Sequence, residues 1–355
     1  MTPVIAIHGG AGTITRAALS PEQERGYHEA LDYVLQGGQR ILEHGGSALD
    51  AVTEAVFRLE ECPLFNAGKG SVFTHAGTHE LDASIMDGST LAAGAVACVK
   101  SLRNPILAAR RVMEDGRHVL LVGEGAEAFA RTAGLDTVPP DYYFTEARYA
   151  QWQRALAEGR SGLLDHDAQT LAAEPLDADT KMGTVGAVAL DARGNLAAAT
   201  STGGVTDKRV GRVGDSPLIG AGCYANNRTA AVSCTGSGEM FIRMLAAYDV
   251  SALMEYRALS LADACAAVVM EKLPTIDGRG GLIAVDAQGN VCMPFNTEGM
   301  YRGEARIGGP RLTAIYRNVE NGGTRHSGES RNPASPTNWT PAFAGATGKS
   351  ETPPR

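Results

Sequence analysis

The stretch "DADTKMGTVGAVALDARGNLAAATSTGG" at residues 177–204 joins a polar segment directly to an apolar run. The junction is Gly183-Thr184, and small and branched apolar residues continue to Leu190. The segment "DARGN" is a turn signal, and a second apolar run follows it. This order predicts a strand that starts at the threonine and an antiparallel hairpin that returns to "TSTGG".

The same pattern occurs a second time further along the chain. The segment "GLIAVDAQGNVCMPFNTEG" at residues 281–299 repeats G-x-[VI]-A-x-D-A-x-G-N and places Thr297 where the first copy has Thr202. A third hairpin is indicated at Asp87-Gly88. Repeated hairpins with helices before and between them predict a layered α+β protein built on antiparallel sheets rather than on βαβ crossovers.

The N-terminal third carries the clearest helical periodicity. A short apolar strand at residues 4–7 runs into the glycine-rich turn "HGGAG" at residues 8–12. Residues 20–58 have the three-to-four spacing of two amphipathic helices, the second capped by Ser47. Further helices are expected at residues 105–114 and 126–132.

Composition limits the class of protein. The chain has 355 residues, 44% hydrophobic and 20% charged, with a formal net charge of -8. No cluster of Lys and Arg suits a nucleic acid, and "MTPVIAIHGGAG" is neither a signal peptide nor a membrane span. Six cysteines without a C-x-x-C pair predict reduced thiols and no metal site. We therefore expect a cytoplasmic protein.

Two segments differ from the rest of the chain. Residues 156–182 mix Gly, Asp and Ala with little periodicity, which predicts a mobile linker. Residues 319–355 are rich in Gly, Pro, Ser, Thr and Asn and poor in aliphatic side chains, which predicts a disordered tail. The expected organisation is one domain over residues 1–318, followed by that tail.

Two motifs suggest other chemistry and are set aside. Gly123, Gly125 and Ala128 form G-x-G-x-x-A after a strand-like run, but the hairpins and the absence of a second strand with an acidic residue argue against a dinucleotide site. His75 and His79 lack the H-E-x-x-H order, so we interpret them as loop histidines rather than zinc ligands.

Thr184 could simply be a β-branched residue that starts a strand. A threonine hydroxyl becomes a nucleophile when a base is adjacent, and its own α-amino group can serve once it is a chain terminus. That amine has a pKa of about 7.7–8.0, suited to a general base near neutrality. Breaking the Gly183-Thr184 bond would expose it. Other residues must decide between these interpretations.

The surrounding motifs decide for chemistry. "HGGAG", "LEECPLFNAGKGSVFT", "ELDASIMDG", "GTVGAVALD", "RVGDSPLIGAGCYANN" and "SCTGSGE" occur in order and resemble the isoaspartyl peptidase and plant-type asparaginase family of N-terminal nucleophile hydrolases. The resemblance covers about residues 4–317 and implies an αββα sandwich. It also implies self-cleavage into an α chain ending at Gly183 and a β chain starting at Thr184, no organic cofactor, and a dimer of αβ heterodimers.

The resemblance assigns roles residue by residue. Thr202 matches the threonine that orients the nucleophile, while Thr235 and the Gly236 N–H match the oxyanion hole. The remaining matches bind substrate: Arg212 for the α-carboxylate, Asp215 and the Gly238 carbonyl for the α-ammonium, and Asn66 as the active-site asparagine.

A sodium ion is also implied, held by backbone carbonyls in residues 59–69, as suits a hard cation. The matching positions are Leu59, Glu60, Cys62, Phe65, Ala67 and Lys69. Lys69 stands where the family often has an apolar side chain. The segment "EARIGGPRLTAIYRN" follows the family only loosely, which leaves the C-terminal edge in question.

The expected reaction is attack by Thr184 on the side-chain carbonyl of an isoaspartyl dipeptide or of L-asparagine. Two alternatives stay on the same scaffold: a glycosylasparaginase and an endoprotease of the taspase type. A third is a non-catalytic member of the family that binds rather than hydrolyses.

Overall fold

The structure is a computed structural model that describes residues 2–158 and 183–317. Within these ranges a sheet of eight strands and a sheet of four strands lie between layers of helices. The strands are β1 (Val4–Gly12), β2 (Leu81–Asp87), β3 (Ala93–Val99), β4 (Leu120–Val122), β5 (Val185–Leu190), β6 (Leu196–Thr202), β7 (Cys223–Ala225), β8 (Ala230–Gly236), β9 (Gly280–Asp286), β10 (Val291–Cys292), β11 (Gly299–Arg306) and β12 (Arg311–Tyr316). The helices are α1 (Pro21–Glu43), α2 (Ala48–Glu61), α3 (Pro105–Asp115), α4 (Gly123–Thr132), α5 (Glu146–Ala157), α6 (Gly238–Met244), α7 (Ala246–Arg257) and α8 (Leu261–Ala266). This is the αββα sandwich that the resemblance implies.

Strand alternation builds the three apolar layers. In β1, Ile5 and Ile7 pack towards α1 and α2, whereas Val4 and Ala6 face the second sheet. Both sets are fully buried, so β1 lies in the interior on both faces. The third layer packs the smaller sheet against α6, α7 and α8.

The order of the larger sheet is β12-β11-β1-β5-β6-β2-β3-β4, and the smaller is β10-β9-β8-β7. All three predicted hairpins form: β2–β3, β5–β6 and β9–β10 are antiparallel. One expectation is wrong. Strand β4 pairs with β3 in parallel, and α3 connects them, so the fold contains one βαβ crossover. The parallel pairing follows from the return of the chain through α3, and a strand of three residues is too short for a sequence pattern to reveal it.

The crossover changes the reason for rejecting the G-x-G-x-x-A motif. Strand β4 does lead directly into α4 at Gly123, as a dinucleotide fingerprint requires locally. However, β4 is the edge strand of the sheet, whereas the fingerprint belongs to a strand at a topological switch point.

The predicted helices form, the Ser47 cap of α2 is confirmed, and α1 has a cap that was not predicted. Ser47 accepts a hydrogen bond from the Asp50 N–H at the start of α2. Ser20 caps α1 through a reciprocal capping box with Gln23.

Two boundaries differ from expectation. The segment "HGGAG" continues β1 to Gly12 rather than forming a turn; a bulge between His8 and Gly10 absorbs the irregularity, and Gly10 has a φ of 109°. The predicted linker begins within α5, because that helix extends to Ala157. The rest of the linker, residues 159–182, and the tail at 319–355 lie outside the described residues, so the domain boundaries stay a prediction.

Candidate active site

Three threonines face the same layer because of strand alternation. In β5 and β6, Val185 pairs with Ser201, so the next pair outward is Thr184 and Thr202. Both lie on the side of the strands that faces the second sheet, opposite the side that packs on α2. In β8, Thr235 lies on the face turned towards the first sheet. The sequence therefore directs all three hydroxyls into the space between the sheets.

A cleft with about 260 Å³ of open space lies at this end of the sandwich. Predicted site residues supply much of its wall. Its lining is Gly183, Thr184, Thr202, Gly204, Val205, Arg212, Gly214, Asp215, Ser216, Gly236 and Gly238. Two predicted residues, Thr235 and Asn66, are fully buried and do not appear in this lining.

The Thr184 side chain is 7% exposed and contacts two other hydroxyls. Its Oγ1 donates to Thr202 Oγ1 at 3.2 Å and lies 3.3 Å from Ser216 Oγ. Thr202 Oγ1 also accepts a 2.9 Å hydrogen bond from the Gly204 N–H, which fixes its orientation. The predicted pairing of Thr184 with Thr202 is present, and Ser216 is a contact that the sequence analysis missed.

Asn66 supports the cleft from behind. Its Nδ2 donates to the Gly204 carbonyl at 2.6 Å, and its Oδ1 accepts from the Val72 N–H at 3.0 Å. A Cβ at Gly183 would lie 2.7 Å from the Asn66 Cβ, so a side chain there would collide. Asn66 therefore holds the loop after Thr202 close to the residue that precedes Thr184.

The predicted oxyanion donors lie at the end of β8. Thr235 Oγ1 accepts a 3.2 Å hydrogen bond from the Ala11 N–H, which leaves its own proton free to donate. Gly236 has a φ of 155°, and a Cβ there would lie 2.2 Å from the Arg279 carbonyl oxygen. Only glycine fits this position, and it lines the cleft.

Arg212 is already partnered. Its Nε and Nη2 donate to the two carboxylate oxygens of Glu239, each at 2.8 Å. This bidentate pair occupies one edge of the guanidinium, so a substrate carboxylate can use only the remaining Nη protons. The sequence analysis missed Glu239, although it immediately follows Gly238.

Asp215 lies beside this pair and is 2% exposed. Burial raises the pKa of Asp215 to about 7, although the positive charge of Arg212 opposes the shift. A Cβ at Gly238 would lie 2.9 Å from Asp215 Oδ1 and 3.0 Å from Arg212 Nη2. Glycine at this position therefore lets the two charged side chains lie close to the start of α6.

A buried polar chain lies behind Thr184, and sequence reasoning did not find it. His8 Nε2 lies 2.9 Å from Ser233 Oγ, which is 2.8 Å from Thr200 Oγ1. Burial lowers the pKa of His8 to about 3, while a contact with the Thr184 backbone opposes that shift. The imidazole is therefore neutral. The only signal in the sequence was the even spacing of Val4, Ala6 and His8 along β1.

The two histidines considered as zinc ligands in the sequence, His75 and His79, have different partners. His75 Nδ1 bonds the buried Asp207 carboxylate at 3.0 Å, whereas the His79 ring packs on Phe73 with centroids 4.2 Å apart. Within the two described ranges, no group of three His, Cys, Asp or Glu side chains could hold a metal ion.

Two carbonyl oxygens of the loop at residues 59–69 lie close to the backbone of the glycines that follow. A Cβ at Gly68 would lie 2.3 Å from the Glu60 carbonyl oxygen, and one at Gly70 would lie 2.1 Å from the Phe65 carbonyl oxygen. The Lys69 ammonium lies 5.7 Å from the centre of the Tyr142 ring. Backbone carbonyl oxygen is a donor type that hard cations accept, so the chemistry of the Glu60 and Phe65 carbonyls fits the predicted ligand set.

The layered αββα sandwich, together with the family match, defines the class as the N-terminal nucleophile hydrolases. The family model described as asparaginase matches residues 1–311, and the chain belongs to that family.

Relatives agree with this assignment. The isoaspartyl peptidase of Escherichia coli (strain K12) is 63% identical over 314 residues, covering 88% of this chain and 96% of that protein. The plant-type L-asparaginase of Pyrococcus abyssi is 44% identical over 296 residues, covering 83% and 94%. The isoaspartyl peptidase/L-asparaginase of Homo sapiens is 38% identical over 309 residues, covering 87% and 94%. Among the described residues, the structure contains no helix that is long and apolar enough to cross a membrane.

Proposed function

We propose that this protein is a self-cleaving threonine hydrolase that removes β-linked aspartyl residues from isoaspartyl dipeptides and hydrolyses L-asparagine to aspartate and ammonia. The carrying observation is the position of the Thr184 hydroxyl. It lies in the cleft within hydrogen-bond distance of Thr202, and Arg212 and Asp215 line the same cleft. The names of the relatives support this substrate class.

Self-cleavage uses the same hydroxyl. Thr184 Oγ1 attacks the Gly183 carbonyl carbon, the peptide C–N bond breaks, and the proton from the hydroxyl ends on the Thr184 nitrogen. Water then hydrolyses the ester, which leaves a carboxylate on Gly183 and a free amine on Thr184. The amine becomes the general base that the mature site needs.

Turnover follows the same chemistry on the substrate. The Thr184 amine accepts the hydroxyl proton while Oγ1 bonds to the side-chain carbonyl carbon. Thr235 and the Gly236 N–H stabilise the negative oxygen that develops. The proton passes to the departing amine or ammonia, and water releases aspartate from the enzyme. Arg212 and Asp215 hold the ends of the substrate that do not react.

Mass spectrometry of the purified protein tests maturation. We expect a chain that begins at Thr184, full-length protein for Thr184→Ala, and partial cleavage for Thr184→Ser. Thr297→Ala is the matched control, because Thr297 occupies the equivalent position of the second hairpin plan and bonds the Gly299 carbonyl instead. A mature terminus at another residue would contradict the assignment of Thr184.

Substrate assays separate this proposal from its alternatives. Purified protein should release leucine from β-Asp-Leu and ammonia from L-asparagine. Hydrolysis of a glycosylated asparagine alone, or of a protein substrate alone, would favour the glycosylasparaginase or taspase alternative. If the protein neither cleaves itself nor turns over any of these substrates, it would be a binding member of the family.

A structural sodium ion is part of the proposal. The backbone carbonyls of the loop would hold it and its charge would offset their dipoles; the residues are Leu59, Glu60, Cys62, Phe65, Ala67 and Lys69. Replacing sodium by tetramethylammonium should lower the melting temperature, and adding sodium back should restore it. An unchanged melting temperature after the replacement would contradict the proposed sodium ion.

The proposed assembly rests on family resemblance, and the proposed compartment rests on the state of the thiols. We propose a dimer of αβ heterodimers, which light scattering after size exclusion would test. All six cysteines are free, which supports a reducing compartment such as the cytoplasm.

A further inference from the structure

Ser216 is placed at the nucleophile without a role in the function proposed above. Its Oγ lies 3.3 Å from Thr184 Oγ1, almost the same as the 3.2 Å between Thr184 and Thr202. The side chain is 1% exposed, and the residue lines the cleft. Whatever orientation Thr202 imposes on Thr184, Ser216 is equally close to the reacting oxygen.

The backbone of Ser216 is fixed in this position. Ser84 Oγ, on strand β2, donates to the Ser216 carbonyl at 2.6 Å. On another side, a Cβ at Gly222 would lie 2.9 Å from the Ser216 Cα, so the chain there is closely packed. The Ser216 Cα is therefore anchored, and a single side-chain torsion angle sets the position of the hydroxyl relative to Thr184.

Hydrogen-bond directions decide what the Ser216 hydroxyl does. The Gly204 N–H donates to Thr202 Oγ1, and the Thr184 proton is also directed to that oxygen. Thr184 Oγ1 then has only lone pairs to offer Ser216, so the Ser216 hydroxyl is the donor. A donor aimed at an oxygen stabilises the negative charge that develops there when the proton leaves.

We propose that Ser216 is a further catalytic residue, whose hydroxyl donates to Thr184 Oγ1 and stabilises the charge on that oxygen as its proton leaves and its bond to carbon forms. The role applies to both reactions of Thr184: attack on the Gly183 carbonyl during maturation and attack on the substrate carbonyl during turnover. It rests on the proposed function, because it needs Thr184 as the nucleophile. Apo distances of 3.2–3.3 Å would shorten in the reacting complex.

The test compares Ser216→Ala, Ser216→Cys and Ser216→Thr with the original chain. Ser216→Ala removes the donor, and Ser216→Cys nearly keeps the size but supplies only a weak donor. Both should slow self-cleavage and lower kcat on β-Asp-Leu by roughly ten- to a hundred-fold. This loss is smaller than the one caused by removing a fully aligned oxyanion donor. KM should change less than about threefold, and Ser216→Thr should recover most of the rate.

Ser251→Ala is the matched control. Ser251 is also fully buried and bonds a threonine hydroxyl, Thr229 Oγ1 at 2.6 Å, but it lies on α7 away from the cleft. Its cleavage rate and kcat should match those of the original chain.

Several outcomes would overturn the proposal. Unchanged cleavage and kcat in Ser216→Ala would remove the role, and a raised KM with unchanged kcat would show that Ser216 only positions Asp215. If Ser216→Ala fails to fold by circular dichroism, Ser216→Cys decides, and cleavage at the original rate contradicts the role. If the original chain neither cleaves nor turns over substrate, the proposed function itself fails, and this inference fails with it.

Discussion

The Arg212 guanidinium has two usable edges, and Glu239 occupies the edge formed by Nε and Nη2. A substrate carboxylate must therefore approach the other end of the group. Burial disfavours the charge of Arg212, but pairing with Glu239 outweighs it and raises the pKa of the guanidinium. The pairing also aligns the group before a ligand arrives, so less side-chain freedom is lost on binding.

Arg212→Ala should raise KM by roughly ten- to a hundred-fold, since charge-assisted hydrogen bonds contribute about 1.5–3 kcal/mol. The α-carboxylate keeps its charge during attack, so kcat should change little. Arg212→Lys should be intermediate because it loses the fork, and self-cleavage should proceed in both variants. Steady-state kinetics on fully cleaved protein measures this, and an unchanged KM would refute the role.

Glu239→Gln tests the anchoring of Arg212 separately. The amide can accept one hydrogen bond from Arg212 but loses the charge, so KM should rise by less than in Arg212→Ala. The double variant should be no worse than Arg212→Ala alone, because both changes act through one guanidinium. Additive effects would show that Glu239 acts on substrate independently.

Asp215 predicts a pH dependence of ligand binding. Its raised pKa of about 7 means that the carboxyl is neutral at lower pH and charged at higher pH. Only the charged form attracts an α-ammonium, so affinity for L-aspartate should rise as the pH increases from 6 to 8. Calorimetry with the mature protein gives the dissociation constant at each pH. Asp215→Asn should bind more weakly and show a flatter profile; an equally steep profile would assign the titration to another group.

At the scale of elements, close approach between a helix and a strand explains one glycine. A Cβ at Gly94 on β3 would lie 2.1 Å from the Ala109 carbonyl oxygen and 2.4 Å from the Met113 nitrogen, both in the backbone of α3. Backbone atoms cannot rotate out of the way, so α3 would have to move off the sheet.

Gly94→Ala should therefore destabilise the protein by about 1–3 kcal/mol, as overpacking does. Gly26→Ala is the matched control: Gly26 lies in α1 with nothing within 4 Å of its Cβ position. That change should stabilise by about 0.5–1 kcal/mol, because alanine is the better helix former. Melting temperatures should be compared in the Thr184→Ala background, in which every variant is expected to remain a single chain. An equal effect of both changes on the melting temperature would contradict the packing argument.

Local signals explain which elements could be predicted from the sequence. The hairpins around "DARGN" and Asp87-Gly88 formed because their turns are encoded within a few residues. The parallel pairing of β4 depends on where α3 returns the chain, which no local pattern specifies. The same holds in the site: motifs predicted Thr184, Thr202 and Arg212, whereas the contacts of Ser216 and Glu239 depend on how segments far apart in the chain meet.

At the scale of the whole molecule, the tail is expected to be dispensable. The family match ends at residue 311, and β12 ends at Tyr316, so residues 319–355 lie beyond both. Their composition lacks the aliphatic side chains that a core requires. Removing them should leave the melting temperature and kcat/KM nearly unchanged. A large loss of either would show that the tail contributes to the folded body.

The order of the larger sheet alternates between the two halves of the chain. Strand β1, from the first half, lies between β11 and β5 from the second, and β6 then pairs with β2 from the first. If the bond before Thr184 is broken as proposed, the two polypeptides would remain interlocked along three ladders, β1–β11, β1–β5 and β2–β6. They cannot exchange partners by simple dissociation, because separation is unfolding. Renaturation then requires an encounter between two molecules instead of the collapse of one, so dilution opposes it. The proposed maturation would thus turn a chain that can refold into an assembly whose working lifetime is set by how slowly it opens.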